Sequence, residues 1–264
     1  MNHVIKFYES FDEDSRLQTR KSKRIEFITT TKILDSYFKQ PTNILEVGAG
    51  SGVYSFYFAQ HGHMVTATDL SEKHIAVMRE KSKHSDRSPI QMFEADATRL
   101  HMLADNSFDA VLCLGPMYHL VDLDMQKRCI SECLRVLKPG GIVAFAYIPR
   151  HQVFPYVVQG DRKYFTDEWL ERILGRGSTL AAEQDSFWTD AYYHTPEQIE
   201  QLLIEHQMEI VDHIATDGIA PLMGEFIDQL DDEEYEVWLQ YHFRTCREPS
   251  ILGMSNHGLV IGKK

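Results

Sequence analysis

Basic residues are scarce relative to acidic ones in this chain of 264 residues. There are 27 Lys and Arg against 39 Asp and Glu, which leaves a formal net charge of −12. Proteins that bind nucleic acids usually draw much of their affinity from cationic side chains that neutralise phosphates. The balance therefore argues against a nucleic-acid substrate. The one dense basic stretch, residues 20–24 (RKSKR), is expected to lie inside a helix as a solvated face.

Cysteines and long apolar runs are also few. No CxxC pair occurs and no histidine stands beside a cysteine at zinc-ligand spacing, so we expect core thiols, a reducing compartment and no metal site. No apolar run approaches the roughly 20 residues of a membrane span, and the first residues lack the basic-then-apolar build of a signal peptide. A soluble cytoplasmic protein is expected. The four cysteines are Cys113, Cys129, Cys133 and Cys246.

Short β-rich runs alternate with helical stretches between residues 43 and 148. This alternation is typical of βαβ units and a parallel sheet covered by helices on both faces. A helical spacing over residues 16–39 precedes the first strand, and Thr195 and Pro196 are predicted to cap and begin a later helix. The acidic run at 231–234 favours a helix start within a helical insertion over residues 221–248. The predicted strands cover residues 44–47, 64–69, 90–94, 108–114, 142–148, 209–214 and 258–261.

The strongest local feature is a glycine-rich loop, ILEVGAGSG at residues 44–52. A buried strand opens through alternate glycines into a helix, where the backbone turns sharply and presents free N–H groups to a ligand. The spacing is GxGxG rather than the GxGxxG of dinucleotide-binding loops. Asp69 ends the next strand, about where a ribose-binding carboxylate belongs in such folds. These features predict a nucleotide or cofactor site.

Taken together with FEADA at residues 93–97 and LRVLKPGG at residues 134–141, this loop resembles the motifs of class I, Rossmann-like, S-adenosylmethionine-dependent methyltransferases. The resemblance covers about residues 41–148, with a weaker match in the late strands. It implies a doubly wound α/β fold, with a seven-stranded, mostly parallel sheet and one antiparallel C-terminal strand. It also implies S-adenosylmethionine as the cofactor and methyl transfer by direct displacement.

Carried over residue by residue, the resemblance assigns cofactor roles at the strand ends. Glu46 would orient the loop or the methionyl ammonium, Asp69 would bind the ribose, and Leu114 would lie beneath the sulfonium. The glycine loop would line the methionine part, and three further residues would surround adenine. The remaining cofactor-binding candidates are Gly48, Ala49, Gly50, Gly52, Leu70, Asp96 and Ala97.

The acceptor is less constrained, because displacement at a sulfonium mainly requires alignment. The segment GPMYH at residues 115–119 lacks the Asn/Asp-Pro-Pro-aromatic motif of enzymes that methylate base amines, and resembles a stretch of some small-molecule methyltransferases. His119 is a candidate general base, with Tyr118 beside it; alternatively both wall the cofactor. Tyr193 and His194 are further candidate bases, and a surface or core role is the favoured alternative for each.

Four segments follow from this interpretation: an N-terminal helical lid (1–40), the cofactor core (41–148), an insertion shaping the acceptor pocket (149–194), and a C-terminal part completing the core (195–264). In the lid, residues 7–9 are expected to fold over the cofactor, with Arg16 or Arg20 pairing its carboxylate. The many aromatic residues of the insertion either line an apolar acceptor pocket or pack against each other in the core. These aromatic residues are Phe154, Tyr156, Tyr164, Phe165, Trp169, Phe187, Trp188, Tyr192 and Tyr193.

We therefore predict transfer of a methyl group to an O, N or S atom of a small-molecule acceptor. The alternatives are a nicotinamide-dependent oxidoreductase, since the loop and Asp69 would serve it as well, a non-catalytic S-adenosylmethionine-binding protein, and a protein or nucleic-acid methyltransferase.

Overall fold

The computed structural model describes residues 2–10, 17, 19–39, 41–83 and 90–264. Its centre is a seven-stranded sheet in the order β3-β2-β1-β4-β5-β9-β8. All neighbours from β3 to β5 pair in parallel, whereas β9 is antiparallel to both β5 and β8. The predicted α/β fold with one reversed strand is confirmed. The strands are β1 (Asn43–Val47), β2 (Met64–Asp69), β3 (Gln91–Glu94), β4 (Phe108–Cys113), β5 (Leu137–Tyr147), β6 (Ser178–Thr179), β7 (Ala191–Tyr192), β8 (Glu209–Ala215) and β9 (Gly258–Lys263).

Helices connect and cover these strands. Two begin with capping boxes: Thr195 and Gln198 at one, Asp231 and Glu234 at the other, which satisfies the free N–H groups of the first turn. Both helix starts were predicted. The helices are α1 (Asn2–Ser10), α2 (Lys21–Tyr37), α3 (Val53–Gln60), α4 (Glu72–Ser82), α5 (Pro116–His119), α6 (Leu123–Val136), α7 (Arg150–Gly160), α8 (Asp167–Leu170), α9 (Pro196–Glu205), α10 (Gly224–Gln229), α11 (Asp232–Thr245) and α12 (Pro249–Leu252).

The core lies on both faces of the sheet, because successive strand residues point to opposite sides. Leu45 and Val111 pack with α6 and α9, where Ile130 and Leu203 are fully buried. Ile44 and its neighbours on the other face pack with α2, α3 and α4. Helices on both sides explain why these strands are nearly continuous apolar runs.

The two ends of the insertion over residues 149–194 lie next to each other. Pro149 and His194 form an isolated parallel bridge, and the Arg150 N–H donates to the carbonyl of His194 at 2.8 Å. Between them lie α7, α8, a π-helical turn (Glu171–Arg176) and the separate antiparallel pair β6 and β7. The segment is thus more helical than its sequence predicts. Its aromatic side chains and Pro155 obscure the period of α7.

Most predicted boundaries agree with the structure to within two residues, and two differ by about five. Helix α2 begins at Lys21 rather than near residue 16, because Arg20 has extended backbone angles; the basic stretch is the start of a helix, and Lys21 pairs with Asp232 at 2.8 Å. Residues 16 and 18 lie outside the described residues. Strand β5 begins at Leu137, not at residue 142. Leu137 pairs with Phe108, and the chain then bulges through Gly140, with φ +76°, before pairing resumes at Ile142.

All four cysteines are buried free thiols, as predicted for core residues. No helix in the described part of the chain combines the length and apolar character that crossing a bilayer requires.

Candidate functional site

The glycine loop after β1 lies where the carboxyl ends of the central strands meet. Gly48 has φ +71°, and a Cβ there would stand 2.7 Å from two ring carbons of Pro116. Only glycine fits this conformation so close to a neighbouring backbone. The N–H groups of Gly48 and Ala49 donate to the Thr68 carbonyl at 2.8 and 2.9 Å, which ties the loop to β2.

Asp69 holds the loop from the end of β2. One carboxylate oxygen accepts from the Gly50 N–H at 2.8 Å, and the other accepts from the Ser71 N–H at 2.8 Å. His74 Nδ1 lies 3.2 Å from that second oxygen. A carboxylate has about four acceptor positions, so capacity remains on Asp69 for hydroxyl groups of a ligand.

The predicted cofactor residues surround one cavity, except for Gly52. Gly52 has φ +85° and begins α3 with its Cα facing Met78, behind the loop. The Asp96 carboxylate accepts from the N–H and hydroxyl of Thr98 at 2.8 Å, which anchors the turn after β3. The predicted residues that line the cavity are Glu46, Gly48, Ala49, Gly50, Asp69, Leu70, Asp96, Ala97, Leu114, Tyr118 and His119.

Glu46 is a deeply buried carboxyl group of this cavity. It is 2% exposed and accepts a hydrogen bond from the Ser55 hydroxyl. Burial raises its pKa to about 7, because desolvation disfavours the carboxylate, and the Ser55 bond only partly opposes this. A cationic group in the cavity would stabilise the ionised form.

Helix α1 contributes one wall of the cavity. Val4, Ile5 and Tyr8 line it, and Tyr8 Oη lies 2.9 Å from Nε2 of His119. Nδ1 of His119 lies 3.2 Å from the carbonyl oxygen of Asp190, which can only accept, so the proton is on Nδ1 and Tyr8 donates to Nε2. Burial lowers the pKa of His119 to about 4. The ring is neutral at pH 7, and both of its nitrogens already have partners.

A second cavity, of about 590 Å³, adjoins the first at Tyr8 and Tyr118, which line both. Trp188 stacks on Tyr118 with ring centroids 6.1 Å apart. Four of the aromatic residues predicted from the insertion line this cavity, namely Tyr156, Phe187, Trp188 and Tyr193. Others do not: Trp169 packs into the core, and Phe165 is 70% exposed.

Polar side chains form one wall of the second cavity. Nδ1 of His257 lies 3.1 Å from a carboxylate oxygen of Glu26, and both side chains are 11% exposed. Asp217 is also buried. One carboxylate oxygen of Asp217, one of Glu26 and a ring nitrogen of His257 all lie within 4.8 Å of one another. Lys23 and Arg20 also line this cavity.

The N-terminal predictions therefore divide between the cavities. Tyr8 lines both cavities, whereas Phe7 and Arg20 line only the second. Arg20 is exposed at the start of α2. Arg16 and the side chain of Glu9 lie outside the described residues.

Tyr193 and His194, the other candidate bases, are held by structural hydrogen bonds. Tyr193 lies 2.8 Å from the Thr179 hydroxyl, and burial raises its pKa. Nε2 of His194 donates to the Gln126 amide oxygen at 3.0 Å, and burial lowers its pKa to about 3. Nδ1 of His194 is buried and has no partner in the described part of the chain, but neither Tyr193 nor His194 lines the first cavity.

Sequence reasoning missed several lining residues. His74 lies in the first turn of α4, five residues after Asp69, so its place in the cavity could have been predicted from this short spacing. Glu26, Asp217 and His257 carry no motif, since three distant segments bring them together.

Polar groups of the first cavity suit a ligand with a hydroxylated sugar, a cationic amino group and an apolar base. Asp69 and Glu46 provide acceptors, while Leu70 and Ala97 provide apolar surface. The Ser51 hydroxyl in the loop is buried and has no partner in the described part of the chain, so a polar ligand would satisfy it.

Comparisons with known proteins agree with this geometry. The model of a family described as "Methyltransferase domain" matches residues 45–145. A ubiquinone biosynthesis O-methyltransferase of Idiomarina loihiensis is 33% identical over 206 residues, which are 75% of this chain and 74% of that protein. A protein of the same name from Pseudomonas fluorescens is 30% identical over 136 residues, and the match spans 54% of its length.

Solved structures show the same fold. A SAM-dependent methyltransferase of Methanosarcina mazei has a TM-score of 0.60 at 20% identity, covering 88% of this chain and 96% of that one. The PH0226 protein of Pyrococcus horikoshii has a TM-score of 0.64 at 17% identity, covering 98% of both chains. The nicotinamide-dependent alternative is not favoured by any of these likenesses. The chain belongs to the class I S-adenosylmethionine-dependent methyltransferases and is an enzyme of small-molecule methyl transfer with S-adenosylmethionine as its cofactor.

Proposed function

We propose that this enzyme methylates a hydroxyl group on a small aromatic ring. The observation that carries the proposal is the second cavity, whose flat aromatic walls adjoin the first cavity at Tyr8 and Tyr118. Aromatic rings pack favourably in such walls by stacked and edge-to-face contacts. The printed name of the relatives, ubiquinone biosynthesis O-methyltransferase, states transfer to oxygen.

In the first cavity, the residues predicted from the sequence would hold the cofactor. Asp69 would accept from the ribose hydroxyls, Glu46 would bind the amino group, and the glycine loop would line the methionine part. Leu70, Asp96 and Ala97 would surround the adenine. When bound, S-adenosylmethionine supplies an electrophilic methyl carbon on a sulfonium sulfur.

The chain's contribution to the reaction is alignment. Tyr118 packs on Trp188 and fixes one wall of the acceptor cavity, and its hydroxyl donates to the Leu114 carbonyl at 3.3 Å. Tyr8, which lines both cavities and is hydrogen-bonded to His119, would keep water from their junction in this proposal. Holding two reactants in line removes much of the entropic barrier of a bimolecular displacement. In this proposal His119 positions Tyr8, because both of its nitrogens are engaged.

The same proposal gives each of the flanking segments a role. Residues 1–40 supply the lid through α1 and one wall of the acceptor cavity through α2, while residues 149–194 supply the aromatic wall. Residues 195–264 complete the sheet and also contribute His257 and Asp217 to the acceptor cavity.

An amine acceptor is the second candidate, because carboxylates and aromatic faces together bind cations. Glu26 and Asp217 favour it. Lys23 and Arg20 line the same cavity and offset that negative charge, so the cavity has no excess of acidic groups.

A panel of ring-matched phenols and benzylamines with S-adenosylmethionine tests the proposal. We expect methyl ethers and S-adenosylhomocysteine from phenols, detected by mass spectrometry. Trp188→Ala should raise KM for the phenol about tenfold or more, since a large buried contact is lost. Phe165→Ala, at an exposed aromatic residue that lines neither cavity, is the control. Turnover of amines alone would contradict the proposal.

A further inference from the structure

We infer that His257 is the general base that removes the proton from the acceptor hydroxyl, with Glu26 as its orienting partner. This inference rests on the proposed function and adds the group that activates the acceptor. Neither residue belongs to any methyltransferase motif recognised in the sequence, and both lie on the wall of the second cavity.

The geometry assigns the proton on the imidazole ring. A carboxylate can only accept, so Glu26 at 3.1 Å from Nδ1 favours the tautomer of His257 that carries its proton on Nδ1. The Asn256 amide nitrogen also lies 3.2 Å from Nδ1, and because it is a donor, this tautomer requires the Asn256 amide to turn so that its oxygen faces the ring. Nε2 makes no hydrogen bond within the described part of the chain, so its lone pair is available for an acceptor. A carboxylate behind an imidazole both fixes this tautomer and stabilises the imidazolium that forms.

Asp217 holds the base in place. One of its carboxylate oxygens accepts from the Ser255 hydroxyl at 2.5 Å, the Asn256 N–H at 2.8 Å and the His257 N–H at 3.3 Å. These bonds fix the turn that leads into β9 and therefore the direction of the imidazole. We assign Asp217 a positioning role.

The base lies close to the reacting region. The ring centroid of His257 is 6.0 Å from that of Tyr118, which lines both cavities. His257 therefore lies beside a residue that the two cavities share, on the side of the second cavity that adjoins the cofactor residues. The other charged groups lining this cavity are Asp217, Lys23 and Arg20.

In the step we propose, the acceptor O–H bond breaks and an N–H bond forms at Nε2, while the electron pair stays on oxygen. That oxygen forms the bond to the methyl carbon as the carbon–sulfur bond breaks, with its electron pair on sulfur. The products are the methyl ether, S-adenosylhomocysteine and imidazolium, which returns its proton to solvent.

His119, the base candidate from the sequence, is less suited to this step. Its Nε2 already accepts from Tyr8, and burial holds its pKa at about 4. His257 differs in having a carboxylate partner and a free Nε2.

The test compares His257→Gln and Glu26→Gln with wild type across phenols of different acidity. General-base catalysis typically contributes 10²–10⁴-fold. We expect His257→Gln to lower kcat about 100-fold or more for a weakly acidic phenol, and little for a nitrophenol that ionises in solution. Glu26→Gln should follow the same trend with a smaller loss. A purely structural defect would lower all rates alike and would overturn the inference.

A matched control is His213→Gln. His213 also has a carboxylate at Nδ1, 2.6 Å from Glu200, but its Nε2 lies 2.9 Å from the Tyr147 hydroxyl and it lines neither cavity. Its rates should keep the wild-type dependence on phenol acidity. An equal loss of that dependence in this variant would overturn the assignment to His257.

A binding measurement separates the base from other roles without turnover. The measurement uses 4-nitrophenol without cofactor, at a pH below the pKa of the free phenol. Bound to wild type, the phenol should show the absorbance of the phenolate. Bound to His257→Gln, it should show the absorbance of the neutral phenol. Identical spectra would overturn the inference. A kcat that depends on added Mg²⁺ and is lost with EDTA would also overturn it, because Glu26, Asp217 and His257 would then act as metal ligands. If wild type methylates no phenol, the proposed function fails instead.

Discussion

Replacing Asp69 with asparagine removes one charge while keeping the shape of the side chain. In the structure, both oxygens of Asp69 accept hydrogen bonds, from the Gly50 and Ser71 N–H groups and beside His74. Asparagine keeps one acceptor and places an NH₂ group against one of those donors. Hydrogen bonds to a charged group contribute about 1.5–3 kcal/mol, so we expect the ribose contact to weaken by that amount.

This loss corresponds to about a 10- to 150-fold increase in the Kd for S-adenosylmethionine, because each 1.4 kcal/mol is tenfold. Calorimetric titration with S-adenosylmethionine and S-adenosylhomocysteine measures it directly. Glu94→Gln is the matched control, since Glu94 pairs with Asp69 in register at the end of β3 but does not line the cavity. A folded Asp69→Asn protein with the wild-type Kd would refute the assignment of Asp69 to the ribose.

Three further substitutions test other parts of the site. Gly48→Ala places a methyl group 2.7 Å from the Pro116 ring at φ +71°, and should lower the free energy of unfolding in urea by about 2–5 kcal/mol; a loss below 1 kcal/mol would contradict the steric argument. Glu46 has a pKa raised from 4.5 to about 7, so the folded state binds a proton that the unfolded state has lost, and stability without cofactor falls as pH rises between these values. Glu46→Gln should therefore gain stability relative to wild type between pH 5.5 and 8 in urea unfolding, and a difference independent of pH would argue against the buried neutral carboxyl. Tyr8→Phe removes the 2.9 Å bond to His119 and should raise the Kd for S-adenosylhomocysteine about fivefold, from a loss of about 1 kcal/mol; an unchanged Kd would mean that α1 does not depend on this bond to close.

The sequence predicts the cofactor half of the molecule well because its determinants are local. The strand, the glycine loop and the helix after it are contiguous, and Asp69 and Asp96 follow strands whose apolar runs are readily recognised. Parallel pairing brings the ends of β1, β2, β3 and β4 to one edge of the sheet, so residues at those ends must meet.

Local signals fail where a boundary depends on distant pairing. Strand β5 begins at Leu137 because that residue pairs with Phe108, and the Gly140 turn is a bulge within the strand. Arg20 looks like part of a basic helix, yet the helix begins one residue later, where Lys21 reaches Asp232.

The sheet, the glycine loop and the family can be predicted from the sequence, because they depend on hydrophobic period, glycine spacing and carboxylates at strand ends. The acceptor side of the molecule depends on tertiary packing instead. Glu26 lies on α2, Asp217 follows β8 and His257 precedes β9, so their contact needs the closed antiparallel end of the sheet and the packing of α2 against it. No spacing along the chain encodes such a contact, because the distances between these residues are set by the folding of the intervening segments.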